Sequence, residues 1–137
     1  MKPLYTAHAT AKGGRAGHIT SDDGVLDLDV TMPKALGGDG ARGTNPEQLF
    51  AAGYSACFGS ALGLVARTQG INPGPFTITG DVSIGAEGKG FKLAVTLTGT
   101  FSELERSKAE ALMQAAHQVC PYSNATRNNI EVSLLVA

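Results

Sequence analysis

From Gln48 to Ala66 the chain carries no charged residue. A helix start stands just ahead of that stretch. Thr44 with Glu47 three residues on has the capping-box pattern, and Pro46 is tolerated in a first turn. The helix is expected to run to Gln69, with Gly70 ending it. A helix that is apolar nearly all round belongs in the middle of a molecule. The rest of the chain must wrap it.

The flanking sequence supplies that wrapping. Leu4 to Thr10, Arg15 to Ser21 and Val25 to Val30 read as three strands, broken by Lys12-Gly13-Gly14 and by the Asp22-Asp23-Gly24 turn. In the third, apolar and acidic residues alternate, as in a sheet with one wet face. Residues 32 to 43 read as a loop. Phe76 to Ile84 and Phe91 to Thr100 alternate with a period of about two, joined by a glycine-rich Gly85 to Gly90. Ser102 to Glu105 repeats the capping-box pattern and opens a second helix, amphipathic through Leu104, Leu112, Ala115 and Val119, that Pro121 stops. A polar stretch, Tyr122 to Asn129, leads to a last strand, Ile130 to Val136. The order βββ-α-ββ-α-β predicts an α+β fold with a mostly antiparallel sheet around two helices, the first central and apolar. With 137 residues and no linker, one domain over 1–137 is expected.

Composition removes several functions. Eleven basic against twelve acidic residues give a formal charge of −1, without the basic field that nucleic-acid binding requires. No apolar run is expected to approach the ~20 residues of a membrane span, and Met1-Lys2-Pro3 does not open a signal peptide, so a cytosolic location is expected. The Gly37 to Gly43 loop lacks the Lys-Ser/Thr of a phosphate loop.

On a helical wheel Glu47, Phe50, Tyr54, Cys57 and Ala61 fall within an arc of about 80°. Cys57 is either a small buried hydrophobe or a reactive thiol. A reactive thiol needs a cation, because it lies too far past the helix start for the dipole to act. Arg67 and the solvated Arg106 are poorly placed, which leaves Arg15, Arg42 and Arg127. Ten residues of helix put Glu47 about 15 Å from Cys57 along the axis. If both serve one site, the simplest geometry brings Glu47 from a second copy. Gly53, Gly59 and Gly63 fit close helix approach, either to that copy or to the chain's own second helix. Cys120, ahead of Pro121 at a helix C-terminus, is disfavoured as a thiolate and suits either packing or the second role in a redox pair.

Three segments carry a family likeness: Gly13-Gly14-Arg15-Ala16-Gly17-His18, the run from Asn45 to Phe58, and Cys120-Pro121-Tyr122-Ser123-Asn124-Ala125-Thr126. Together they closely resemble the organic hydroperoxide resistance (Ohr) proteins of the Ohr/OsmC family, over essentially the whole chain. The resemblance implies an intertwined homodimer with active sites at the subunit interface and a thiol peroxidase activity on organic hydroperoxides. It implies Cys57 as the peroxidatic and Cys120 as the resolving cysteine. Arg15 would then hold the thiolate and Glu47 would orient that arginine. It further implies a dihydrolipoyl group on a lipoylated protein as reductant. No metal or other cofactor is required. Phe50, Tyr54 and Phe58 are expected to form a pocket for alkyl or lipid chains. Two competing functions use the same residues, a non-catalytic redox sensor and a hydrophobic ligand carrier of the OsmC branch. A third, metal binding, would draw on His117 and Cys120 at i and i+3, with His8 and His18 elsewhere, but no paired ligand motif accompanies them.

Overall fold

A computed structural model describes residues 1–137, which form two compact units, Met1–Leu49 and Phe50–Ala137. In the first, strands β1 (Ala9–Lys12), β2 (Gly17–Ser21) and β3 (Asp27–Val30) make an antiparallel sheet in sequence order. The strands are shorter than the sequence pattern predicts. β1 begins only at Ala9, and Arg15 and Ala16 belong to the turn after it, where Gly13 at φ 80° and Gly14 at φ 59° let Ala16 N–H reach the Gly13 carbonyl. One 3-10 turn, Lys34–Leu36, interrupts the following loop. That loop is tied to β3 through Thr44: its N–H donates to the Asp29 carbonyl at 2.8 Å, and Thr31 N–H donates to its carbonyl at 2.9 Å. The tie fixes where the next element starts.

That element is α1 (Pro46–Thr68), which begins in the first unit and continues through the second. Its N-terminus departs from the expected capping box. Asn45 Oδ1 accepts from Gln48 N–H at 2.8 Å, Thr44 Oγ1 donates to the Gln48 side chain, and Glu47 is engaged elsewhere. Asparagine is as good an N-cap as threonine, so local competition decided the outcome. At its other end Gly70, φ 66°, lets Ile71 N–H close onto the Ala66 carbonyl. By length and composition α1 could cross a membrane, having 23 residues and a mean hydropathy of 1.6 over its apolar window. That corrects the expectation that no run approaches such a span. Its Tyr54, Phe58, Leu62 and Ala66 nevertheless form the core of the second unit, while Leu64 stays 52% exposed.

The second unit's sheet pairs β4 (Phe76–Glu87) antiparallel to β5 (Gly90–Phe101), and β5 parallel to β6 (Glu131–Val136). The β4–β5 hairpin runs further than the glycine-rich loop suggested: Glu87 pairs with Gly90, and Gly88 at φ 57° makes the turn in two residues. Val95 and Leu97 of β5 join the helices in the core. The second helix, α2 (Arg106–Val119), starts after Glu105, whose carboxylate accepts from Ser107 N–H at 2.9 Å. The Ser102 box is therefore displaced by a cap three residues on. Pro121 does end α2, but it also opens a third helix, α3 (Pro121–Thr126), where a polar loop was expected. Proline at a first helical position lacks only an N–H that has no partner there.

Candidate functional site

The first unit presents a charged fork. Arg15, in the turn between β1 and β2, donates from Nη1 to Glu47 Oε2 at 2.7 Å and from Nη2 to Oε1 at 2.6 Å. Glu47 sits in the first turn of α1, anchored by the Thr44 tie. The hydrogen bonds from Arg15 hold the Glu47 carboxyl below its usual range, and Glu47 in turn raises Arg15. Glu47 is 12% exposed and Arg15 33%, so the carboxylate is enclosed and the guanidinium keeps an open side. A fork uses two of five N–H donors, which leaves donors for an anion. The sequence left Arg15, Arg42 and Arg127 open as cations. Arg127 is committed, donating to the His117 carbonyl at 2.7 Å, and Arg42 forms no ion pair.

The second unit brings the cysteines together. Cys57, half-buried on α1, has its sulfur 3.7 Å from that of the fully buried Cys120, and both are free thiols. A disulfide needs about 2.05 Å between sulfurs, so closure takes a small shift. Cys120 stands at the corner between α2 and α3: its N–H donates to the Ala116 carbonyl and its carbonyl accepts from Asn124 N–H, each at 2.9 Å. Within this unit burial pushes the Cys57 thiol up, the Tyr122 backbone amide works against it, and the Cys120 thiol adds to the rise. The unit's own groups therefore favour the thiol.

Both cysteines belong to the same hydrophobic cluster as several aromatic rings. Phe50 stands edge-on to Tyr54 at 6.0 Å between centroids, and Tyr54 lies 6.5 Å from Phe58. Phe50 is half-buried, whereas Tyr54 and Phe58 have no exposed surface. Tyr122 of α3 completes the cluster, 5.6 Å from Tyr54 and 6.0 Å from Phe50. The sequence did not single out Tyr122, although it lies two residues past Cys120, because α3 was read as a loop. Its hydroxyl also explains Gly53: a Cβ there would stand 2.9 Å from it. The close approach at Gly53 is thus to the chain's own third helix, while Gly59 makes ordinary contacts and Gly63 faces open space. His117, raised above as a metal candidate, has Nδ1 at 2.8 Å from Ser123 Oγ.

Comparison with known proteins follows the same lines. The sequence model of the family described as OsmC-like protein matches residues 37–135. The organic hydroperoxide resistance protein OhrB of Bacillus subtilis strain 168 is 56% identical over 136 residues, covering 96% of each chain. Its crystal structure superposes with a TM-score of 0.90 over 98% of this chain and 100% of that one. The structure of an organic hydroperoxide resistance protein from Legionella pneumophila, 52% identical, gives a TM-score of 0.93 over 99% of both. The α+β architecture with two sheets and three helices is shared with these structures. The chain belongs to the Ohr/OsmC family.

Proposed function

We propose that this chain is a cysteine-based peroxidase that reduces organic hydroperoxides to alcohols, and so contributes to organic hydroperoxide resistance. The observation that carries the proposal is the 3.7 Å separation of two free sulfurs, one half-buried and one enclosed. The Cys57 thiolate attacks the terminal peroxide oxygen; the O–O bond breaks and the alkoxide leaves, taking a proton from solvent. Cys57 is then a sulfenic acid. Cys120 attacks the Cys57 sulfur, the hydroxyl departs as water with the Cys120 proton, and a Cys57–Cys120 disulfide forms. A dithiol of the dihydrolipoyl type, borne on a lipoylated protein, is oxidised to its own disulfide and returns both thiols.

The thiolate needs a cation, and none is among the groups acting on Cys57, which burial raises. Arg15 is the proposed source, with Glu47 fixing its plane so that the guanidinium meets sulfur and peroxide oxygens in one geometry. Ten residues of helix between Glu47 and Cys57 favour delivery by a second copy. A homodimer has independent support. The first unit buries only Val30 and Thr44, with Val25 81% and Leu28 41% exposed. A three-stranded sheet needs a covered apolar face, and a second copy would cover it. The two units are proposed to fold as one domain over 1–137, joined by the continuous α1. Phe50 is proposed as the accessible wall of an alkyl pocket, with Tyr54 and Phe58 beneath it. Free thiols at this spacing suit a reducing cytosol.

The test is turnover of an organic hydroperoxide with dihydrolipoamide. Wild type is expected to cycle. Cys57→Ser is expected to lose all turnover, Cys120→Ser to stop after one oxidation, and Arg15→Ala to slow by about 100-fold or more. A wild type that oxidises once without cycling is a redox sensor, and one that never oxidises but retains apolar ligand is a carrier. Faster consumption of hydrogen peroxide than of the organic substrate would remove the alkyl pocket.

A further inference from the structure

Beneath Cys120 lies a buried run of hydroxyls that the peroxide chemistry leaves unused. Tyr54 Oη is 2.9 Å from Ser123 Oγ and 3.1 Å from Thr126 Oγ1. Ser123 Oγ is also 2.8 Å from His117 Nδ1. Thr126 Oγ1 reaches the carbonyls of Tyr122 at 2.9 Å and Ser123 at 3.2 Å. Tyr54 and Ser123 have no exposed surface, and Thr126 has 6%.

Counting protons fixes the direction of every bond. Carbonyl oxygens only accept, so the single hydroxyl proton of Thr126 goes to them. Tyr54 must then donate to Thr126, which uses its only proton. Ser123 must in turn donate to Tyr54, and His117 Nδ1 must carry a proton to donate to Ser123. The run therefore has one polarity, from His117 through Ser123, Tyr54 and Thr126 to the α3 backbone. Burial and the nearby Arg127 lower His117, which keeps the ring neutral near pH 7 with its lone pair on Nε2.

These bonds tie α3 to both neighbours. Tyr54 belongs to α1, three residues ahead of Cys57, and His117 belongs to α2, three residues ahead of Cys120. Cys120 closes α2 and opens α3, so the angle between those helices places its sulfur. Arg127 secures the same corner through the His117 carbonyl. We infer that Ser123, clamped between His117 and Tyr54, is a positioning residue for Cys120: it sets α3 at the angle that holds the Cys120 sulfur within 3.7 Å of Cys57. The inference rests on Cys57 and Cys120 acting as a redox pair. It concerns only the second step, in which the sulfurs close on each other.

The test separates that step from peroxide chemistry. With 5,5′-dithiobis(2-nitrobenzoate), the Cys57 thiolate breaks the reagent's disulfide, forming a mixed disulfide and releasing one nitrothiophenolate. Cys120, losing its proton to solvent, then attacks the Cys57 sulfur and expels the second. In Ser123→Ala the first release is expected at the wild-type rate and the second about tenfold slower or more, since small misplacements cost large factors in intramolecular attack. Ser123→Thr, which keeps the hydroxyl, is expected to recover most of the rate. Histidine 15N shifts supply a second readout: His117 is expected as the Nδ1–H tautomer in wild type and not in Ser123→Ala. An unchanged second release in folded Ser123→Ala would overturn the inference, as would an Nε2–H tautomer in wild type. If Ser123→Ala does not fold, Thr126→Val takes its place, with a smaller slowing of the second release expected and none overturning the inference. Should peroxide fail to oxidise Cys57 while the second release still slows, the peroxidase reading falls and the positioning role stands.

Discussion

A guanidinium pinned by both carboxylate oxygens of Glu47 differs from a lysine at the same place, because only the planar fork fixes the direction of its remaining donors. Arg15→Lys is therefore expected to keep the charge and still lose most of the hydroperoxide rate, read as kcat/KM beside wild type. Glu47 has its folded-state carboxyl pKa lowered by Arg15, so the pair's stabilisation is present above the unfolded value of about 4.3 and is lost as pH falls through the lower folded value. The opposite sign applies at His18, which stands between Asp27 at 2.5 Å and Asp29 at 2.8 Å, with Lys12 opposite it on β1. Hydrogen bonds from the two aspartates raise His18. Its contribution to the first sheet is full below about pH 6.5 and fades as pH rises through the raised folded value. NMR titration is expected to place His18 above the ordinary histidine value, and to return it toward that value in an Asp27→Asn, Asp29→Asn double variant. A wild-type His18 at the ordinary value would contradict the clamp.

At the scale of elements, α1 and α3 meet where Gly53 admits the Tyr122 hydroxyl. Gly53→Ala should gain about 1 kcal/mol of helix propensity and lose more to that contact, because the tyrosine ring cannot bend away. Denaturant unfolding is expected to show net destabilisation in Gly53→Ala and recovery when Tyr122→Phe is added. Two additive changes would place the contact elsewhere. The same region shows why some of the fold was legible and some was not. α1 was readable because a long uncharged run leaves few alternatives, and the β4 alternation because period two is rarely accidental. α3 was hidden because Pro121 signals an end and a beginning equally well, and six residues, most of them polar, show no periodicity. The caps were misplaced because Asn45 competes with its neighbour Thr44 on at least equal terms, and because Glu105, three residues past Ser102, takes the Ser107 N–H itself. In the site, Cys57 and Cys120 were visible by residue type and Glu47 by its place on the same helical face, whereas its pairing with Arg15 came only through the family likeness. Ser123 and Thr126 were invisible, since a hydroxyl gains its role only from what it is buried against.

For the whole molecule, the first unit's exposed Val25, Leu26 and Leu28 and the burial that raises Cys57 both support the proposed homodimer. Sedimentation is expected to give a species of twice the 14.1 kDa chain mass, with one unfolding transition whose midpoint rises with protein concentration. A monomer with two separate transitions would contradict both the homodimer and the single folding domain. The central claim is that a guanidinium held by Glu47 ionises Cys57, and its most direct test is the pH dependence of thiolate absorbance near 240 nm in Cys120→Ser. With Arg15 present, Cys57 is expected to ionise well below the ordinary value of about 8.5 and to move above it in Arg15→Ala. An ordinary or raised value with Arg15 in place, unchanged by its removal, would contradict the account.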